Sequence, residues 1–257
     1  MSSEPMFAEE RKIGIVEYIK QNKKATVPEL CSTFDVSSAT IRNDLRELEQ
    51  SGLIIRTHGG AIVKSKTGFE LNAKQKQTYG SEEKRRIAAK AITLIEDGDT
   101  VILDTGSTTA ELAKLLNRKH NLTVVTNDFA IASILEDFEG VNVILMGGVV
   151  RRGFHCTVGV SGQDMLGGLA VDKAFMAANS FSLTKGATTP DITHAETKKA
   201  MIAIATKVIF LCDSSKLGRN SFAQFSSPEQ VDIYITDSIS DKDRRRFEER
   251  DIEVLLP

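Results

Sequence analysis

The chain has 257 residues, 41% hydrophobic and 26% charged, with a formal net charge of −2. That mixture excludes wholesale disorder, and the length predicts one large or two ordinary domains. No apolar run approaches the ~20 residues of a membrane helix, and residues 1–4 lack the basic and apolar parts of a secretory signal. A cytoplasmic chain with no membrane partner is expected. Cys31, Cys156 and Cys212 match no metal or disulfide spacing and read as reduced core thiols.

Residues 1–63 hold 8 Lys/Arg against 9 Asp/Glu, residues 64–80 hold 4 against 1, and residues 81–257 hold 21 against 25. No segment is basic enough for a bulk electrostatic attraction to nucleic acid. Only charge sorted onto one face can make a DNA reader.

Residues 7–50 read as three helices. Ile13, Ile15, Val16 and Ile19 form an apolar stripe on the first, and a short second helix over 27–34 accommodates Pro28 in its first turn. Residues 35–37 turn the chain, Ser37 or Ser38 caps a third helix reaching about Gln50, and Gly52 ends it. Two β-prone pieces, 53–57 and 61–63, are joined by His58-Gly59-Gly60 and suit a wing beside the helices. Residues 64–80 lose periodicity and predict a linker between a domain of 1–63 and one of 81–257. Beyond it, helices near 82–95, 108–116, 128–135, 195–205 and 241–249 alternate with apolar strands near 101–104, 122–126, 143–146, 173–178, 207–212, 231–236 and 252–256. This alternation predicts an α/β domain around a largely parallel sheet.

On a helix turning about 100° per residue, Ile41, Leu45 and Leu48 share the inward face. Ala39, Arg42, Asn43, Arg46 and Gln50 share an adjacent face from which Asp44 and Glu47 are excluded. Arg, Asn and Gln make bidentate contacts with purine edges in the major groove. Ser38 and Ala39 are small enough for close approach to the sugar–phosphate chain, and Arg56 and His58 of the wing can reach flanking phosphates or a minor groove. A solvated helix face with ordinary charge pairs fits the same residues.

The run Ser37-Ser38-Ala39-Thr40-Ile41-Arg42-Asn43-Asp44-Leu45 is followed by Leu48-Glu49, Gly52-Leu53, Arg56 and His58-Gly59-Gly60-Ala61. Together they resemble the signature of DeoR-type bacterial transcriptional repressors across the whole N-terminal domain. The resemblance implies a winged helix-turn-helix and a double-stranded DNA operator as partner. It places the DNA contacts on Ser37, Ser38, Ala39, Thr40, Arg42, Asn43, Arg46, Arg56 and His58. Asn43 stands where the family pattern more often has a second arginine, so no operator sequence carries over.

Asp104-Thr105-Gly106-Ser107-Thr108-Thr109 lies between a buried strand and a helix. Gly106 permits a tight turn, after which backbone amides and the hydroxyls of Ser107, Thr108 and Thr109 converge at a helix N-terminus that favours an anion. A capped strand–helix turn fits the same residues. Thr126-Asn127, Met146-Gly147-Gly148 and Asp213-Ser214-Ser215-Lys216 also follow strands, and Glu196 and Lys198 begin a helix. In open parallel sheets, ligands bind beyond the carboxyl ends of the strands.

These segments resemble the Rossmann-like sensor domain of the same repressors, which is related to ribose-5-phosphate isomerase. The resemblance implies a phosphorylated-sugar effector and no cofactor. Its phosphate would lie on Gly106, Ser107, Thr108 and Thr109, and its sugar on Asp104, Thr126, Asn127, Gly147, Lys198 and Lys216. Arg151 and Arg152 either assist the anion or form a solvated basic turn.

An isomerase needs a positioned general base. The related enzymes carry acids shortly before a Lys-Gly turn, whereas here Ala177-Ala178-Asn179-Ser180-Phe181-Ser182 precedes Lys185-Gly186-Ala187 without one. His58, His120, His155 and His194 show no nucleophile–base or metal spacing. The expectation is a regulator without enzymatic activity, repressing a carbohydrate-utilisation operon. It should be a homo-oligomer, dimer or tetramer, because helix-turn-helix proteins pair two half-sites. The alternative is a sugar-phosphate isomerase whose N-terminal domain mediates assembly.

Overall fold

A computed structural model describes residues 7–22, 24–51, 53–63, 70–78 and 80–257. The chain divides into two compact units, Met1–Leu71 with Gln75–Tyr79, and Asn72–Lys74 with Gly80–Pro257.

The first unit runs α1 (Ala8–Asn22), β1 (Lys24–Thr26), α2 (Val27–Phe34), α3 (Ser38–Gln50), β2 (Ile54–Thr57) and β3 (Gly60–Val63). Ile15, Val16 and Ile19 of α1 meet Leu30 of α2 and Ile41, Leu45 and Leu48 of α3 in one core, closed by Ile54 and Ala61 of the wing. Thr26 and Glu29 start α2 with a reciprocal capping box, Thr26 N donating to Glu29 Oε2 at 2.7 Å. Asp35, at φ 50, turns the chain into α3, whose N-cap is Ser37; its Oγ accepts from Thr40 N at 3.2 Å. Gly52 lies outside the described residues, and α3 ends at Gln50 with Ser51 as its cap.

The wing has three strands, in the order β1-β3-β2, where the sequence predicts two. A three-residue strand such as β1 is too short to show a period. Its presence explains the second of the paired glycines. Gly59 sits at φ +130, and a Cβ on Gly60 would lie 2.0 Å from the carbonyl oxygen of Ala25 in β1. Gly60→Ala is therefore expected to push β3 off β1 and cost ~1–3 kcal/mol. Thermal unfolding of the full chain checks this, and an unchanged Tm would mean that the strands do not approach so closely.

Within 64–80, expected as linker, residues 73–78 form α4 (Ala73–Thr78), while 64–69 and 79 lie outside the described residues. None of its residues is buried, so it carries no apolar stripe to reveal it.

The second unit begins with α5 (Ser81–Ala91), β4 (Thr100–Leu103), α6 (Ser107–Ala113), β5 (Leu122–Thr126), α7 (Phe129–Leu135) and β6 (Val141–Leu145). A hairpin follows, β7 (Val149–Arg151) with β8 (Cys156–Val158), then α8 (Val160–Leu166) and β9 (Val171–Met176). Next come β10 (Ser180–Ser182), β11 (Gly186–Thr189), α9 (Ile192–Ala203), β12 (Ala205–Leu211) and β13 (Ala223–Ser226). The last elements are β14 (Ile233–Ile235), α10 (Asp241–Glu248) and β15 (Glu253–Leu255). No described helix is long and apolar enough to cross a membrane.

Seven strands form a parallel sheet in the order β15-β14-β12-β9-β4-β5-β6. The chain steps outward from β4 through β5 to β6, returns to the other side of β4 at β9, and steps outward again. The strand order thus reverses between β4 and β9, and a crevice opens at such a switch point. Successive residues alternate faces: Val101 and Leu103 join one core cluster, Ile102 the other. Both faces are covered, which is why these strands read as continuous apolar runs. The sequence reading omits α8, the β7–β8 hairpin and a second sheet of order β10-β11-β13. These strands are only three or four residues long and, β7 and β8 apart, rich in Ser, Thr, Gly or Ala.

Candidate functional site

On α3, Ser38, Ala39, Arg42, Asn43, Arg46 and Gln50 are exposed and Thr40 is half-buried. Two acids of the helix, Asp44 and Glu47, are drawn away by α1. Asp44 is buried and accepts from Arg11 Nε at 2.6 Å and Nη2 at 3.2 Å. Glu47 accepts from Lys12 at 2.7 Å, which holds its carboxyl below the usual range. Asn43 Oδ1 accepts from Arg46 Nη1 at 3.2 Å, leaving the Asn43 amide to donate outward. The hydroxyls of Ser37 and Thr40 lie 2.9 Å apart within the N-cap, so their structural part is to start the helix. On the wing, Arg56 N donates to Glu49 Oε1 at 3.1 Å, its guanidinium lies 3.7 Å from the same carboxylate, and His58 is exposed in the β2–β3 turn.

In the second unit, Asp104 follows β4 and is fully buried. Its Oδ2 accepts from Ala177 N at 2.9 Å and from Lys198 Nζ, which also donates to Ala177 O at 2.9 Å. Lys198 is itself 1% exposed, with its ammonium 5.1 Å from the Phe225 ring centroid. Burial pushes the Asp104 carboxyl above its ordinary range, opposed first by the Lys198 charge and then by the Ala177 amide. Lys198, expected to contact a sugar, is thus an internal counter-ion joining the ends of β4 and β9 to α9. Asp104 Oδ1 is sealed from solvent without a partner.

Gly106 makes no tight turn. Its backbone is extended, at φ 171 and ψ 155, and glycine is needed because a Cβ would lie 2.7 Å from the Ala177 Cβ. As the N-cap of α6 it offers no side chain to the first-turn amides. Thr109 Oγ1 donates to Gly106 O at 2.9 Å, so this hydroxyl turns into its own helix; Ser107 is half-buried and Thr108 buried.

The neighbouring loop is tied in through residues the sequence reading missed. Thr105 Oγ1 donates to Asp128 Oδ2 at 2.6 Å, and Asp128 caps α7 by accepting from Ala130 N at 2.9 Å and Ile131 N at 3.1 Å. Burial pushes Asp128 upward and these bonds only partly offset it. An acid directly before a helix was the signal for this cap. Thr126 Oγ1 accepts from Asp128 N at 3.1 Å, and Asn127 Nδ2 donates to Thr157 O at 2.8 Å while its Oδ1 is buried without a partner. The steric demand for glycine falls on Gly148, not Gly147. A Cβ on Gly147 meets nothing, whereas Gly148 sits at φ +141 with a Cβ position 2.6 Å from Val158 O.

Lys216 follows β12, two strands from β4, and lies 3.6 Å from Asp213. Burial raises the Asp213 carboxyl, but Lys216, the Ser215 hydroxyl and Lys84 together hold it below its ordinary value. Arg151 is 3.4 Å from Asp191 and stacks over Phe154, and Arg152 is exposed. The strand ends therefore bring together Asp104, Gly106, Ser107, Thr108, Thr126 and Asn127, with Lys198 locked beneath them.

A model of the DeoR C terminal sensor domain matches residues 80–238, and a model of the DeoR-like helix-turn-helix domain matches residues 11–67. The HTH-type transcriptional regulator GlpR of Haloferax volcanii is 38% identical over 93% of this chain and 94% of that protein. The regulator GolR of Listeria innocua is 38% identical over 91% and 92%, and the repressor GlcR of Bacillus subtilis 37% identical over 91% and 90%. A solved D-ribose-5-phosphate isomerase in complex with phospho-erythronic acid overlays 53% of this chain and 54% of its own, at 21% identity and a TM-score of 0.41. The chain belongs to the DeoR family and is a DNA-binding transcriptional regulator.

Proposed function

We propose that the protein is a repressor of a carbohydrate-utilisation operon that binds paired half-sites as a homo-oligomer and releases them on binding a phosphorylated sugar. The effector reading rests on one observation above all. Asp104 Oδ1 and Asn127 Oδ1, at the ends of adjacent strands β4 and β5, are both buried acceptors without partners. Leaving such an atom unsatisfied costs ~1–3 kcal/mol, and a polyhydroxylated ligand that parts the loops over them can donate to both. The first turn of α6 begins three residues after Asp104 and favours an anion. The repressor sign is supported by the name of the Bacillus subtilis relative.

The DNA half of the reading places Arg42 and Asn43 on base edges, with Arg46, Arg56 and His58 beside phosphates. Arg42→Ala and Asn43→Ala should each cost ~1–3 kcal/mol at the operator and relax discrimination at one position. Binding titrations on single-base variants of the operator read this directly. A loss uniform across sequences reassigns the residue to a phosphate, and unchanged binding removes α3 from the groove. Half-sites of such proteins lie about 34–36 Å apart or at multiples of that spacing. Light scattering should accordingly show at least a dimer; a monomer with undiminished operator affinity overturns this part.

A further inference from the structure

We infer that Arg11 is a positioning residue for operator reading: its buried fork on Asp44 sets the rotation of α3 about its own axis, and with it the base edges that Arg42 and Asn43 meet. The inference rests on the reading of α3 just given. Arg11 and Asp44 are 8% and 5% exposed, and Nε and Nη2 reach separate carboxylate oxygens at 2.6 and 3.2 Å. Two parallel bonds from a planar guanidinium admit one geometry.

The apolar contacts beneath α3 lack that property. Ile41, Leu45 and Leu48 hold the helix on the core, but apolar burial is non-directional and tolerates small rotations. At the surface of a helix some 10–12 Å across, a rotation of ~15° carries a side chain about 1.5 Å, enough to break a bidentate contact. Asp44 adjoins Asn43 in sequence and lies two residues from Arg42, so fixing it fixes them. The neighbouring pair of Lys12 with Glu47 is the weaker constraint, because the Glu47 side chain is 57% exposed. Buried ion pairs are poor sources of net stability and are better attested as devices for specificity. Arg11 is also buried too deeply to serve as an ordinary phosphate contact.

The test uses the full chain and a duplex selected by the wild type from a random library, set against a scrambled duplex. Arg11→Met should lower Tm, since it leaves the buried Asp44 carboxylate without the guanidinium fork, and Asp44→Leu should lower it by removing the two bonds that the fork makes. The double variant R11M/D44L should recover Tm yet lose about 10-fold or more in the ratio of selected to scrambled affinity. That loss should fall at the base positions that Arg42→Ala also relaxes. The salt dependence should keep its slope, because each lost phosphate contact would reduce it by ~0.9. Arg11→Lys, which keeps the charge and removes the fork, should show the same lowered ratio and serves if the double variant does not fold. A wild-type ratio in the folded double variant, or in Arg11→Lys, makes the pair merely structural and overturns the proposal. A slope reduced by about one makes Arg11 a phosphate contact and also overturns it. If Arg42→Ala itself leaves the ratio unchanged, the reading of α3 has failed, and the positioning role falls with it.

Discussion

Lys198→Met is expected to destabilise the α/β unit by about 3–5 kcal/mol, because it leaves the buried Asp104 carboxylate without its cation. The remaining partners, Ala177 N at 2.9 Å and the Thr105 backbone amide, supply dipoles and not a charge. The variant should also acquire a pH dependence whose sign is fixed. Burial already holds the Asp104 carboxyl above its ordinary range, and the largest opposing influence is Lys198. Without that cation the folded-state value rises further above the unfolded one. Stability is then present when Asp104 is protonated and is lost as pH rises through the raised folded value. The variant should melt higher at about pH 5 than at about pH 8, a reversal of the usual acid sensitivity. Asp104→Asn placed in the Lys198→Met background removes the stranded charge and should recover much of the loss and abolish the trend. Thermal melts across that range check both. A Lys198→Met chain that melts like wild type throughout would mean that the ammonium is not engaged by Asp104, leaving Lys198 available to an effector.

That exchange of roles shows where the sequence stops being legible. The parallel sheet could be read because its strands are covered on both faces, so Val101, Ile102 and Leu103 are all apolar. The helix-turn-helix could be read because Ile41, Leu45 and Leu48 repeat at helical spacing and Ser37 precedes them as a cap. Asp104 stands at a strand end, where ligand contacts collect, and Lys198 midway along α9, but they are 94 residues apart and pattern alone cannot say that they meet. The same limit hid the Arg11–Asp44 pair across 33 residues and the tie from Thr105 to Asp128 across 23. Periods report which face is apolar. They do not report which polar groups satisfy one another once the faces are packed. Gly148 illustrates the companion limit for backbone: nothing in Gly147-Gly148 says which glycine has the positive φ and the close carbonyl.

Gly106→Val is expected to leave operator binding intact and to remove its response to sugar phosphates. The extended backbone at Gly106 accepts any residue, so the damage comes from contact alone. A Cβ there would meet Ala177 Cβ at 2.7 Å and Thr109 Oγ1 at 3.1 Å, and Ala177 carries the bonds to both Asp104 and Lys198. Valine therefore spreads the loops at the switch point, where the proposed ligand would lie. Ser107→Asp is the complementary variant. It places a carboxylate in the first turn of α6 at a half-buried position, whereas the adjacent Thr108 is buried and would add an unrelated desolvation cost. A ligand can change operator affinity only if it binds the DNA-competent and incompetent states unequally. Coupling of ~1–3 kcal/mol corresponds to ~5–150-fold, and it is reciprocal, so operator DNA should weaken effector binding by the same factor. For the wild type, operator titrations with a panel of pentose and hexose phosphates should find one compound giving a shift in that range. For both variants the factor should fall to about one at unchanged affinity in its absence. Weakened operator binding without ligand would mean that the substitution acts on the fold and not on the effector. If one sugar phosphate still shifts both variants as it shifts the wild type, the effector does not lie at the ends of β4 and β5, and the unpartnered oxygens of Asp104 and Asn127 serve something else.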